Sequence, residues 1–165
     1  MHPFLRKTIQ KVGLEGKYEV LSCGAEWESI LPAVKKAGLV KEDGNTEVFD
    51  TIVCSKVLCS VPEPKATIEG LYKLLKPGGR LLINEHIKNR AATHEDGSWA
   101  ARIVQIVMMR IGWTAVAGNC CLDRETWKTI EEVGRENGGW ANRKLDFVAG
   151  WSTIPFVFGW FEKEA

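Results

Sequence analysis

No glycine-x-glycine triplet occurs anywhere in the sequence. A dinucleotide-binding turn needs one, because only glycine lets the backbone close on a pyrophosphate, so a nucleotide-linked dehydrogenase is the least favoured enzyme class. An excess of charge is also missing. The 22 Lys and Arg residues against 21 Asp and Glu leave a net charge of +1. That gives no basic footprint for nucleic acid and no acidic tail. No segment approaches the ~20 apolar residues of a membrane span. The most apolar stretch, residues 100–118, carries Arg102, Gln105 and Arg110; it reads as a helix packed on the protein, with a membrane-surface helix as the other reading. The five cysteines, Cys23, Cys54, Cys59, Cys120 and Cys121, are odd in number and show no ligand spacing. With no signal peptide, they read as reduced thiols in a cytoplasmic protein, and no metal site is expected.

What is present is ordinary for one folded domain covering residues 1–165. The hydrophobic share is 45% and the charged share 26%, enough for a real core at this length. Seven tryptophans run from Trp27 to Trp160 and are expected in the core or in a pocket wall. Repeats and low-complexity segments are absent.

Residues 3–12 read as a helix, with Pro3 in its first turn and Leu5, Ile9 and Val12 on one side. Residues 18–23 (YEVLSC) alternate and predict a strand. Residues 26–37 predict a helix, and 41–47 a polar loop turning at Asp43-Gly44.

The most informative segment is residues 49–86. Ile52 and Val53 centre a short apolar strand, and Pro62 and Pro64 set up a helix carrying Ile68, Leu71, Leu74 and Leu75. Pro77-Gly78-Gly79 is expected to end that helix before a second strand from Arg80. Two apolar strands joined by a helix make a right-handed βαβ unit in a parallel sheet. Ligands of such sheets bind beyond the carboxyl ends of the strands. That places the segment 55–60 and Glu85-His86 at a predicted site. Beyond it, residues 88–97 are polar and read as a lid or substrate loop. Residues 98–112 predict a helix, Asp123 is the expected N-cap of a helix over 124–137, and residues 144–148 and 153–162 predict a closing antiparallel pair.

These residues carry a resemblance. The run FDTIV, then Val57-Leu58, Val61-Pro62-Glu63-Pro64 and LKPGGRLL resembles the second half of a class I S-adenosylmethionine (SAM)-dependent methyltransferase. The likeness is to the ubiquinone/menaquinone-type branch and, within it, to thiol methyltransferases and their fungal relatives. Leu58-Cys59-Ser60-Val61, Glu85-His86, the block CLDRETW from Cys121 and the block IPFVFG from Ile154 match that subgroup. The implied fold is α/β: an incomplete Rossmann-like methyltransferase fold, mostly a parallel sheet with a C-terminal antiparallel strand pair, lacking the first two strands. The chain then corresponds to the C-terminal two-thirds of the family fold. The segment 18–23 either pairs with residues 51–55 or detaches, leaving an apolar edge that invites aggregation or a dimer.

The resemblance also implies site residues. Gly24, Ala25 and Glu26, after the third family strand, are expected at the adenine. Ser55, Lys56, Val57 and Leu58, after the fourth, are expected at the methionine part and the methyl group. The alternative reading, less favoured, is a helix cap for Glu26 and loop packing for Ser55 to Leu58. Glu85 and His86 are the candidate catalytic pair, since an imidazole beside a carboxylate can take a proton from a thiol, hydroxyl or amine. The same pair equally reads as a structural hydrogen-bonding pair that fixes the next loop. Cys59 is not expected to act as a nucleophile. Trp113, Trp127 and Trp151 are either acceptor-pocket wall or core. SAM is the implied cofactor and a small molecule the implied acceptor. Its affinity is expected to suffer without the glycine loop and the ribose-binding acid. Two charge-assisted hydrogen bonds, about 1.5–3 kcal/mol each, go with that acid. Weak or absent activity is therefore expected. Two rivals remain: a non-catalytic binding or regulatory protein, and a cyclase or isomerase on the same scaffold.

Overall fold

The computed structural model describes residues 3–40, 44–91 and 95–165. His2, the Asp43 half of the expected turn, and the centre of the 88–97 loop lie outside them. The described elements run α1 (Pro3–Lys11), α2 (Trp27–Lys36), β1 (Phe49–Ser55), α3 (Pro64–Leu74), β2 (Leu75–His86), α4 (Trp99–Arg110), α5 (Trp113–Val116), α6 (Thr126–Asn137), β3 (Trp140–Val148) and β4 (Phe156–Lys163).

The sheet order is β1-β2-β4-β3. β1 and β2 are parallel, with Cys54 opposite Ile83 and Ser55 opposite Asn84. β4 runs antiparallel to both β2 and β3. The α/β class holds, and the closing antiparallel pair is present. The sheet is mixed, with β4 the strand that runs against the other three, and residues 18–23, expected as a strand, form none. A short alternating segment gains its hydrogen bonds only from a partner strand. Without one it stays irregular, and Tyr18 is left 56% exposed. β1 stands at the end of the sheet order, and Val53 on it is 65% exposed.

The core lies on one face of the sheet. Leu81, Ile83, Glu85 and Ile87 are buried while Leu82, Asn84 and His86 are half-buried, the two-residue period of a strand with one covered face. α3 supplies Ile68, Leu71 and Tyr72, and α6 supplies Ile130 and Val133, to one cluster with Leu81, Ile83 and Phe161. A carboxylate, Glu85, occupies a core position of β2 with no exposed surface.

Helix α3 ends at Leu74, and Pro77-Gly78-Gly79 lies within β2 rather than terminating the helix. Leu75 already pairs with Phe49, and the next pair is Thr51 with Arg80, so residues 76–79 form a bulged excursion. Gly78 takes a left-handed φ of 71°. At Gly79 a side chain would meet the Phe49 and Asp50 carbonyl oxygens at 3.1 and 3.2 Å. Both glycines are required, for different reasons.

At α6 the expected cap is displaced. Glu125, not Asp123, holds the N-cap position, without a side-chain bond. Arg124 is thereby freed for another task. α4 has a true cap, Ser98 Oγ accepting from Ala101 N–H. Its buried residues are Ala101 and Gln105, and Ile103, Ile106, Val107 and Ile111 are exposed. Gln105 anchors it by donating to the Ile87 and Thr153 carbonyls at 3.1 and 3.2 Å. Among the described residues, no helix is long and apolar enough to cross a membrane.

Candidate functional site

The chain leaves β1 through Lys56, a non-glycine residue in the left-handed region at φ 57°. Its N–H donates to the Asn84 carbonyl at 2.8 Å. This reversal turns the next three N–H groups inward, onto one side chain. Val57 and Leu58 donate to Glu85 Oε1 at 2.9 and 3.1 Å, and Cys59 donates to Oε2 at 3.1 Å. Successive backbone N–H groups of this kind form an anion-binding concavity, and here the anion is the protein's own carboxylate. The loop's carbonyls are held from the other side. Arg124 Nη1 donates to the Leu58 and Val61 carbonyls, each at 2.8 Å.

His86, next along β2, belongs to the half-buried face. Its Nδ1 lies 3.2 Å from Cys120 Sγ and 3.9 Å from Cys59 Sγ. The two sulfurs are 3.7 Å apart. The ring meets Phe156 edge-on at 4.6 Å. Burial, and then the Lys56 ammonium, hold the imidazole below its usual value, against the opposing pull of Glu85. It is therefore a neutral imidazole near pH 7. Burial raises the Cys54 thiol to about 12, with Glu85 adding to the effect. The Cys59 thiol is also raised to about 12, again mainly by burial.

The expected site residues separate into two groups. Ser55, Lys56, Val57, Leu58, Glu85 and His86 do come together, at the carboxyl edge of β1 and β2. Gly24, Ala25 and Glu26 instead follow an irregular segment and lead into α2. Gly24 N–H donates to Ser29 Oγ at 3.2 Å, and the Glu26 carbonyl accepts from Ile30 at 2.8 Å. The three tryptophans part as well. Trp113 packs on the Cys59–Cys120 cluster, Trp127 on Phe147, and Trp151 is 75% exposed.

Three residues at this edge were not singled out for such roles from sequence. Arg124 grips the loop, and Cys120 stands against His86. Asn84 donates through Nδ2 to Ser55 Oγ at 3.3 Å, while its Oδ1 is buried without a partner. Its place beside His86 on the half-buried face follows from the strand period. Cys120 had no such signal. An orphaned acceptor at the ligand edge of the sheet fits a donor group on a bound molecule, such as the ammonium or hydroxyl groups of SAM.

A family model described as a methyltransferase domain matches residues 11–135. The human thiol S-methyltransferase TMT1B is 38% identical over 85 residues, which are 52% of this chain and 32% of that protein. The human thiol S-methyltransferase TMT1A is 26% identical over 118 residues, 69% of this chain and 43% of that protein. The chain thus spans well under half the length of these relatives. An O-methyltransferase family protein from Burkholderia thailandensis superposes with a TM-score of 0.57 at 19% identity, covering 98% of this chain and 40% of that one. With the family model spanning residues 11–135 and the fold shared, the chain belongs to the SAM-dependent methyltransferase family.

Proposed function

We propose that this chain binds SAM at the carboxyl edge of β1 and β2 and serves methyl transfer to a small-molecule thiol, with hydroxyl and amine acceptors as the alternatives. The observation that carries the reading is the loop of residues 55–59, fixed by Glu85 at the ligand edge of a methyltransferase-family sheet. Similarity to proteins named thiol S-methyltransferases supports the choice of a thiol. The cofactor supplies a methyl group on a sulfonium, and the transfer needs alignment more than a reactive side chain.

In this reading Ser55, Lys56, Val57 and Leu58 bound the cofactor's methionine end, and the Asn84 Oδ1 accepts a hydrogen bond from it. Gly24, Ala25 and Glu26 serve the adenine end. Glu85 acts as a positioning residue, since both its oxygens are taken by backbone donors. His86, neutral at physiological pH, stands on the acceptor side as the group that takes the acceptor's proton.

Calorimetric titration of S-adenosylhomocysteine into the folded protein tests this. Saturable binding that weakens about tenfold in Asn84→Ala is expected, the equivalent of about 1.4 kcal/mol. No binding, with the fold confirmed by circular dichroism, would sink it and favour a non-catalytic role. The place of β1 at the end of the sheet order, with Val53 exposed, is the observation that supports that second reading, as a surface for pairing with another chain.

A further inference from the structure

Cys59, His86 and Cys120 are far apart in sequence, and each alone has an unremarkable explanation. The fold brings them to one point. Cys59 sits on the loop that Glu85 holds, His86 ends β2, and Cys120 follows α5. The Cys121 N–H donates to the Cys59 carbonyl at 2.8 Å, pinning the two cysteine segments together. All three potential ligand atoms lie within 4.8 Å of one another.

We propose that Cys59 Sγ, Cys120 Sγ and His86 Nδ1 form a three-ligand site for a thiophilic divalent cation, zinc above all. Tetrahedral zinc with Zn–S near ~2.3 Å separates two sulfurs by about 3.8 Å, and each sulfur from a ring nitrogen by about 3.6 Å. The observed spacings are 3.7 Å between the sulfurs and 3.2 and 3.9 Å to Nδ1. A small shift of one ring equalises the last two. Two thiolates neutralise the ion's charge, and soft sulfur with imidazole is the ligand set that selects zinc over magnesium or calcium.

The surroundings agree. The sulfurs are buried, at 1% and 5% exposure, among Leu122, Met108, Met109 and Trp113. The Trp113 indole N–H is buried without an acceptor. It packs on this cluster, so a thiolate or a further ligand would give it a partner. Three protein ligands leave one tetrahedral position open, as in catalytic rather than structural zinc sites. A thiolate is the soft anion that position takes best. With Nδ1 on the metal, the Nε2 of His86 carries the ring proton, so the proton-accepting role proposed for His86 belongs to the metal-free protein.

The test needs no cofactor and no methyl transfer. The reduced, chelator-treated protein is titrated with zinc against a chromophoric chelator, and separately with cobalt(II). One equivalent of zinc at about micromolar affinity or tighter is expected. Thiolate-to-metal charge-transfer absorption from the cobalt form of the unaltered protein is expected as well. Cys59→Ser and Cys120→Ser should weaken zinc binding by about 100-fold or more. Cys23→Ser and Cys121→Ser should leave it unchanged. Absence of a stoichiometric site, absence of the charge-transfer band, or equal loss in the Cys23→Ser control would overturn the proposal. The cobalt spectrum of the unaltered protein decides the matter even if a cysteine variant fails to fold.

Discussion

Glu85 on β2 and Arg124 before α6 grip the same loop from opposite chemical sides. The carboxylate takes the N–H groups of Val57, Leu58 and Cys59, and the guanidinium takes the carbonyls of Leu58 and Val61. The loop is the object they share, and it carries four of the residues proposed around the ligand.

Replacing Glu85 tests the first half of that grip. In Glu85→Gln the amide keeps one acceptor but turns an NH2 group toward a backbone donor. An unsatisfied buried donor costs about 1–3 kcal/mol, so a loss of about 2–4 kcal/mol is expected in urea unfolding. A change below about 0.5 kcal/mol would mean that the loop is held by something else.

Replacing Arg124 tests the second half. Arg124→Ala strips two carbonyls of a charged donor and is expected to cost about 1–3 kcal/mol. Hydrogen exchange at Val57, Leu58 and Cys59 should accelerate, although their own acceptor is intact. Unchanged exchange at those amides would separate the loop's stability from Arg124.

The Cys54 thiol gives a pH dependence with a definite sign. Burial raises it from 9.0 to about 12 in the folded chain. The unfolded thiol therefore ionises first, and the folded state binds the extra proton. The stabilisation is full below about pH 9 and is lost as pH rises toward 12, at up to about 1.4 kcal/mol per pH unit. Cys54→Val should flatten that decline between the two values, as read from unfolding midpoints at several pH values.

Gly134 on α6 faces the Trp140 indole, whose N–H donates to the Ile130 carbonyl at 2.8 Å. A methyl group there overlaps the ring. Gly134→Ala is expected to cost about 1–3 kcal/mol despite its gain in helix propensity. Thermal unfolding followed by tryptophan fluorescence would show it. A rise in the midpoint would mean that the ring has room to move.

Periodicity carried much of this architecture. Ile68, Leu71 and Leu74 announced α3, and Ile52 and Val53 announced β1. Alternation failed at residues 18–23, because a strand is a property of a pair and the partner was not specified by that segment. The helix stop at Pro77-Gly78-Gly79 was misplaced because glycines serve bulges as readily as helix ends. The loop after β1 was legible as lying at the carboxyl edge of the sheet. Its two anchors were not, since Glu85 is 26 to 28 residues from its partners and Arg124 is 63 and 66 from its own. Contacts of that range leave no local periodic trace.

The sheet order also sets a timetable. β4 sits between β2 and β3, and β3's recorded pairing is with β4 alone. During synthesis β3 therefore emerges with its hydrogen-bonding edges unmet, and docks only when a later segment arrives. Arg80 must also wait for Glu162 across 82 residues. Much of the sheet thus assembles in one late, non-local step, the kind of topology that folds slowly and gains its cooperativity at the end.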